Sequence, residues 1–560
     1  MKLNIFLILS LVYTLVFGQV DQQRVRIDAT FRSTKNILFV ANAPGSSHVT
    51  WVLRFLDELS ARGHNITMVT VEENLKYSYS HPYLNTVSMG SSNFDHKRMM
   101  EGNDSHKPFL ELFPVLFDAF IPGWPKEYRA ILEQIEKNKA DVLICDFFSN
   151  ACMEAANTKQ LPFILTSTAG LFPDAAPPYI NANMFAMDEY TTVHQSIYRR
   201  FFNKFILPIQ VIWKTRPILE RMAKVKRESG LINARWNDDP NARSIHAVKL
   251  IGNMFGPEAA RPLGPLVEFV GPMLEKEYNG LTTELKSYLD ARQKVVYVAF
   301  GQHARPLAHD VERILTSLIH QLEKGHIDGI IWSSVLAESK YFPTVITSSY
   351  SRKTYSTASF FDGNKGKVGN ILDDIFVSKW SPQMAILLHP SVHVFVSHGG
   401  ANSLFECLYA GKRLLFYPFF GDQPGTAKHL SQAGVSEYFN HLTDLADVDE
   451  KVEKVILDRE GHYQEKINKY QAMMQIQSKS APIRAADVVE EVAFSSQGTL
   501  MPHREDVSRS LSFAKKHNLD IYALAIASFG SIFIIISLGL VKLVKTLYHG
   551  YHIKQKTKTL

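Results

Sequence analysis

The chain has 560 residues, 46% of them apolar and 21% charged, a balance that excludes a disordered, collagen-like or coiled-coil protein. That length exceeds what one hydrophobic core supports, so two domains are expected. The net charge of +6 is spent at the ends, on Lys2 and on Lys542, Lys545, Lys554, Lys556 and Lys558, which leaves a neutral body and argues against nucleic acid as a partner.

Taken in order, Met1-Lys2, the unbroken apolar run Ile5 to Phe17 and Gly18 read as a cleavable signal peptide over residues 1–18, too short to span a bilayer. From there the grammar is strand, turn, helix, strand. Asn36 to Val40 is a short apolar strand. Pro44-Gly45-Ser46-Ser47 is a turn that can cap a helix, and Val49 to Arg62 has helical periodicity with Gly63 as its stop. Ile66 to Thr70, Asp141 to Cys145 and Pro162 to Leu165 are further buried strands. Apolar strands alternating with helices predict a parallel sheet covered on both faces. Sequons at Asn65-Ile-Thr67 and Asn103-Asp-Ser105 suit a lumenal body, and Asn103 is the better acceptor because Asn65 sits at a strand edge. Cys145, Cys152 and Cys407 make no disulfide framework or zinc motif, so they are expected to be buried small apolar residues. Two aromatic-rich stretches, Phe109 to Trp124 and Phe201 to Trp213, read as helices packed on the first domain or as an apolar acceptor pocket near a membrane surface.

This first domain is expected over residues 19–274, followed by a polar linker at 275–290. The strand grammar restarts with Val295 to Val298, Ile330 to Trp332, Ile375 to Val377, Val392 to Val396 and Leu414 to Tyr417, which places a second domain at 291–495. The Ser/Thr-rich run Thr347 to Ser359 reads as a surface loop. A juxtamembrane segment, 496–520, leads to 521–541, a run of 21 residues without a charge that at about 1.5 Å per residue covers one bilayer core. The basic tail 542–560 follows, so the positive-inside rule puts it in the cytosol and the body in a lumen. Lysines three and five residues from the carboxyl end resemble the dilysine retrieval signal of endoplasmic reticulum membrane proteins.

Chemistry concentrates between Trp380 and Gln423. An indole at Trp380 can stack on a nucleobase whose edge Gln383 reads. His398-Gly399-Gly400-Ala401-Asn402-Ser403 follows a strand and opens a helix, where glycine lets the backbone approach a pyrophosphate and amide donors point at it. Glu406 falls on the same helix face, placed for ribose hydroxyls, and Asp422-Gln423 can grip sugar hydroxyls. In the first half, His48 follows the glycine turn at a helix start, where the helix dipole is expected to keep the imidazole neutral, and Asp146 at a strand end is placed to hold that ring.

The 44-residue span resembles the signature of the UDP-dependent glycosyltransferases, through Trp380, Pro382, Gln383, His398, Gly400, Asn402, Ser403, Glu406, Pro418, Asp422 and Gln423. The order of signal peptide, two domains, membrane helix and basic tail looks like the membrane-bound branch that contains glucuronosyltransferases. The resemblance implies an α/β fold of the GT-B type: two Rossmann-like domains facing a cleft, with a C-terminal transmembrane helix. It also implies His48 as base and Asp146 as its partner, Trp380 and Gln383 on uracil, Glu406 on ribose, His398, Gly400, Asn402 and Ser403 on the diphosphate, and Asp422 and Gln423 on the sugar. Gly301 would bring backbone amides to the phosphates, although Gln302 and His303 follow it where a hydroxyl residue is common. Pro-Gly-Thr after Gln423 and Arg413 on a loop are further departures.

Asp238-Asp239 and Asp373-Asp374 are adjacent pairs with diverging side chains, so no metal and no cofactor is expected, the UDP-sugar being a substrate. The resulting expectation is an inverting transfer of glucose or glucuronate from UDP to a hydroxyl of a lipophilic small molecule or lipid. The protein would be single-pass, type I, in the endoplasmic reticulum membrane, with a lumenal catalytic body and its oligomeric state open. A catalytically silent lipid- or nucleotide-sugar-binding protein of the same fold is the alternative, and retention of both His48 and Asp146 weighs against it.

Overall fold

The computed structural model describes residues 30–92, 107–170, 174, 177–181, 184–186, 188–238, 242–334, 338–361 and 373–558. The segment 1–18 and Asn103 lie outside the described residues. The first half supplies seven strands: β1 Asn36–Ala41, β2 Asn65–Thr70, β3 Asn85–Ser88, β4 Val142–Asp146, β5 Phe163–Ser167, β6 Val248–Ile251 and β7 Val267–Phe269. They form one parallel sheet in the order β3-β2-β1-β4-β5-β6-β7. The second half supplies β8 Val295–Ala299, β9 Gly329–Ser333, β10 Val345–Thr347, β11 Thr354–Ser356, β12 Ile375–Ser378, β13 Val392–Ser397, β14 Arg413–Phe416 and β15 Ser436–Tyr438. Six of these make a second parallel sheet, β12-β9-β8-β13-β14-β15. Helices cover both faces of each sheet, which is why central strands such as Val-Leu-Ile-Cys-Asp of β4 and Val-Val-Tyr-Val-Ala of β8 are buried throughout.

The strand order reverses between β1 and β4 in one sheet and between β8 and β13 in the other. At such a switch point the two following loops run to opposite faces and leave a crevice beyond the strand ends. His48 and Asp146 follow β1 and end β4; Gly301 and His398 follow β8 and β13.

The long helix His462–Ser495 is shared. Its Ile467 and Met474 lie in the core of the second sheet, whereas Ala481, Ala485, Val489 and Val492 lie in the core of the first, against helix Thr50–Ala61. Glu490 locks it there. Its carboxylate accepts from Arg32 Nε at 2.6 Å, Arg62 Nη1 at 2.6 Å and His64 Nε2 at 3.0 Å. Burial would raise the Glu490 pKa, but the hydrogen bonds from Arg32, His64 and Arg62 outweigh it and bring it down to about 2.

Five local features differ from the sequence reading. The Ser/Thr-rich run is not a plain loop: β10 and β11 pair as an antiparallel hairpin, closed by Glu323, which accepts from Ser348 and Ser351 at 2.5 Å and from Tyr355 at 2.7 Å. The polar linker ends in a helix, Thr283–Asp290, whose Leu285, Tyr288 and Leu289 belong to the second core. Arg413 is on no loop; it starts β14, is buried, and donates to the carbonyls of Val455 at 2.7 Å and Ile456 at 2.8 Å, at the end of helix Leu445–Leu457. Cys145 and Cys152 are joined by a disulfide, because the turn after β4 brings helix Asn150–Lys159 back against the strand; Cys407 remains free and buried. Finally, the aromatic stretch before Trp213 packs by one face only, with Leu207 against Leu110 and Ala186 and its opposite face exposed.

Among the described residues one helix, Leu519–Lys554, is long and apolar enough to cross a membrane, and it contains the expected span 521–541. The segment before it docks on the first sheet's body: Arg504 donates to Glu268 at 2.6 Å and to the Pro265 carbonyl at 2.9 Å, and Arg509 pairs with Asp174 and donates to the Ile245 carbonyl at 2.9 Å.

Replacing Glu490 by Gln removes the one negative charge shared by Arg32, Arg62 and His64, although Arg62 keeps Glu58 and Asp487, and should cost about 2 kcal/mol of stability, read as a lowered melting temperature. A carboxylate held below its ordinary pKa stabilises above the usual glutamate range. The wild-type advantage over Glu490→Gln should therefore fade as pH falls from about 4.5 towards 2. An equal melting point in both proteins at pH 7 would show that the shared helix is held by its apolar face alone.

Candidate active site

After β1 the chain passes Gly45, whose φ of 128° is left-handed, and makes a short 3-10 turn, Ser46–His48, before helix Thr50–Ala61. His48 closes that turn. Its Nδ1 lies 2.8 Å from Asp146 Oδ1, and since a carboxylate oxygen accepts, Nδ1 carries the proton and Nε2 keeps its lone pair. Asp146, the last residue of β4, is buried, and its other oxygen accepts from the Phe148 amide at 2.9 Å. The Phe148 ring stands edge-on to the imidazole, centroids 5.0 Å apart.

The expectation that a helix dipole keeps this ring neutral is corrected by the geometry. The helix proper starts beyond His48, and burial, which would lower its pKa, is outweighed by the charge and hydrogen bond of Asp146 and by the charge of Asp422 across the cleft. The imidazole is held above its ordinary 6.5. Asp422 is raised as well: burial pushes its carboxyl up to about 6 against its own backbone hydrogen bond, with Glu258 raising it and His48 lowering it.

The facing edge belongs to the second sheet. Trp380, just past β12, leaves 65% of its surface exposed in a half of the molecule where Trp332, Tyr297 and Tyr417 are fully buried. Gln383 opens helix Gln383–Leu388 and donates through Nε2 to Ser403 Oγ at 3.1 Å and to Glu406 Oε2 at 2.7 Å, so its side-chain amide ties Trp380's turn to helix Ala401–Ala410. Burial lifts the Glu406 carboxyl to about 7, although Gln383 and Tyr278 donate to it. Asn402 and Ser403 lie in that helix's first turn, and Gly400 is its N-cap. His398 is buried between Gly301 and Gly400, where a Cβ on either glycine would meet its ring. Its Nδ1 has no partner among the described residues, and burial with the nearby His303 pushes its pKa down to about 4. Gln423 is turned inward: its Oε1 accepts from the amides of Phe419 at 3.0 Å and Phe420 at 3.3 Å, leaving its Nε2 for a ligand.

All twelve residues singled out in the sequence therefore lie at the C-terminal ends of strands in one or other sheet, or on the helices that follow. Three contributors were not legible. Tyr278, hidden in the polar linker, reaches Glu406. His303 lies so close to the Gly45 turn that a Cβ there would be 2.8 Å from its Nε2, which joins the phosphate-side loop of one half to the imidazole loop of the other. Glu258, buried and paired with Arg261 at 2.7 Å, adds to the field at Asp422. Their only sequence signal is residue type, and contact is created by the fold. Among the described residues, no three His, Cys, Asp or Glu side chains are gathered in a metal-binding group.

A family model described as UDP-glucoronosyl and UDP-glucosyl transferase matches residues 127–556. The chain belongs to this family. As a UDP-glycosyltransferase it is 26% identical over 527 residues to a UDP-glycosyltransferase of Talaromyces amestolkiae, covering 89% of this chain and 95% of that one. It is 22% identical over 530 residues to a UDP-glucuronosyltransferase of Macaca fascicularis, covering 88% and 90%. Among solved structures it superimposes on the kitacinnamycin glycotransferase with a TM-score of 0.56 at 16% identity, over 82% of this chain and 99% of that one. The calicheamicin glycosyltransferase CalG4 gives a TM-score of 0.51 at 18% identity, over 82% and 98%. The UDP-glycosyltransferase thus has the GT-B fold, and its work is sugar transfer from a UDP-sugar.

The Gly45 turn offers a direct check of how closely the two loops must approach. In Gly45→Ala the new Cβ meets His303, and the left-handed backbone is strained by about 1–2 kcal/mol, so turnover should fall roughly tenfold. Gly63→Ala, also at positive φ but with nothing within 4 Å, is the control: it should lower the melting temperature and spare turnover. Equal turnover losses in the two variants would mean that the loop contact is irrelevant.

Proposed function

We propose that the protein transfers a hexosyl group, glucose or glucuronate, from UDP to a hydroxyl of a lipophilic small molecule or lipid, with inversion and without a metal. The observation that carries this reading is the 2.8 Å His48–Asp146 hydrogen bond, which leaves Nε2 as the proton acceptor at the mouth of the cleft. The acceptor hydroxyl gives its proton to Nε2 as its oxygen bonds to the anomeric carbon. The bond from that carbon to the UDP oxygen breaks on the opposite face, and UDP leaves with the electron pair. Asp146 stabilises the imidazolium that forms. The amides at the start of helix Ala401–Ala410 and those after Gly301 receive the diphosphate, where neutral His398 offers a ring nitrogen. Trp380 stacks on uracil, whose edge the Gln383 backbone reads; Glu406 takes the ribose hydroxyls, with Ser403 and Asn402 beside the phosphates, and Asp422 and Gln423 hold the sugar. Adjacent rather than spaced acidic residues support the metal-free reading, and Asp374 is engaged with Arg292 at 2.8 Å.

The apolar helix Leu519–Lys554 followed by lysines supports a single-pass type I anchor, with the body in the lumen of the endoplasmic reticulum. A disulfide in the body is in keeping with that oxidising compartment.

The test is UDP release with a panel of apolar alcohols and phenols and with both UDP-sugars, with and without a chelator. His48→Ala should lose at least about a hundredfold in turnover. Because a base must be unprotonated and His48 is held above 6.5, kcat/KM in the wild type should fall as pH drops through a value above 6.5. Asp422→Asn removes one of the two carboxylates that raise it, so the acid limb should move to lower pH whatever happens to its height. An acid limb that stays in place would remove Asp422 from the base's environment.

Donor binding has its own pH signature. A carboxylate accepts two ribose hydroxyls better than a carboxylic acid does, and burial holds Glu406 at about 7 before the ligand enters. UDP affinity should therefore rise with pH through about 7 in the wild type and lose that slope in Glu406→Gln, as measured by calorimetric titration. A slope retained in Glu406→Gln would assign the proton to another group.

A further inference from the structure

Helix Ile197–Phe201 continues through a π turn, Phe202–Ile206, into helix Leu207–Glu228. Along it, Ile197, Phe201, Phe205, Ile209, Ile212 and Trp213 are between 54% and 76% exposed. At the ordinary 3.6 residues per turn, side chains spaced by four drift steadily around a helix. The wider π turn cancels that drift between Phe201 and Ile209, so Phe201, Phe205 and Ile209 stand in line, and Ile212 and Trp213, one turn further on, flank that line on its two sides. The opposite face is the packed one, with Phe202, Leu207 and Val211 against Leu110 and Ala186. A helix apolar on both sides is ordinary inside a core and anomalous at a surface, where an exposed patch of this kind marks a contact.

Charge says what the contact is. Residues 197–228 carry nine Lys and Arg against two Glu, a local excess of +7 in a body whose remaining residues must therefore sum to −7 for the whole to be neutral. Arg199 is answered by Asp188 at 3.0 Å and Lys214 by Glu111 at 3.2 Å, whereas Arg200 and Lys204, in and beside the stripe, make no ion pair among the described residues. The same body is tied, through Arg504 and Arg509, to the segment that enters the apolar helix Leu519–Lys554. We propose that this stripe lies in the headgroup layer of an anionic phospholipid membrane, as a second attachment of the first domain beside the spanning helix. Aromatic and aliphatic side chains enter the acyl boundary, while Arg200 and Lys204 reach the phosphates, the arrangement of an interfacial amphipathic helix. The inference rests on reading Leu519–Lys554 as the anchor and is independent of the transfer chemistry.

The full-length protein is placed in nanodiscs of phosphatidylcholine, with or without phosphatidylserine, and carries an environment-sensitive fluorophore on one introduced cysteine at a time. The variants are Ile209→Cys on the stripe, Tyr79→Cys at an exposed site elsewhere on the first body, and Phe533→Cys in the apolar helix. Lipids brominated near the glycerol should quench about half of the emission at 209, the depth at which an interfacial helix sits, and almost none at 79, while lipids brominated near the acyl ends quench the mid-bilayer label at 533. Quenching at 209 should be stronger with phosphatidylserine and lose that difference in Arg200→Ser/Lys204→Ser. Quenching at 533 without quenching at 209 overturns the stripe and leaves the anchor standing; quenching at neither overturns both. A label at 209 that is shielded only as protein concentration rises, and never by brominated lipid, assigns the stripe to a second copy of the chain and overturns the membrane proposal. Turnover measured in the same discs judges the transferase reading separately.

Discussion

Each of the two sheets reverses its strand order once, and nearly every functional feature follows from where those reversals fall. A parallel strand must be covered on both faces, so its connections leave as helices, and at the reversal neighbouring connections leave on opposite sides. The crevices between β1 and β4 and between β8 and β13 are consequences of topology before any side chain is chosen. What chemistry then requires is that the two crevices face each other, and the helix His462–Ser495 serves that end by burying one half of its length in each core. Lys428 with Glu189, His429 with the Gly256 carbonyl and Tyr190 with Thr426 add polar contacts between the halves.

The electrostatics of the cleft are arranged in opposed pairs. His48 is held above its ordinary value by carboxylates on both sides, and His398, buried beside His303, is pressed down to about 4. Two imidazoles of one chain are thereby suited to different work, one to gain a proton and one to stay neutral. The two carboxyls of the donor side, Glu406 and Asp422, are both lifted towards neutrality by burial. Less negative charge then stands along this edge of the cleft than its carboxyls alone would bring.

Much of this was legible in the residues, and the limits have physical causes. β1, β2, β4, β5, β8, β9, β12, β13 and β14 are apolar runs whose ends sequence reading found to within a residue or so, because a strand buried on both faces has to be apolar. β3, Asn-Thr-Val-Ser, lies at a sheet edge and carries no such signal, and β10 and β11 hide in a Ser/Thr-rich stretch whose stability comes from a distant glutamate, Glu323. Trp380 to Gln423 was readable because the chain's order there is also its spatial order. The field at His48 was not, since Asp422 sits in the other half of the sequence, and neither was the use of Gln423 to shape its own loop. The sequence assigned residues to places; only the fold assigned neighbours to residues.

The bond between Cys145 and Cys152 brackets the turn that follows β4, and the first residue inside that bracket is Asp146. The carboxylate that holds the His48 imidazole is thus stapled at the end of its strand by a covalent link that a glutathione-rich cytosol would not maintain. Placement of the His48 ring is then inherited from the redox history of the chain during folding, so that two molecules of identical sequence, matured in different compartments, need not be equally competent.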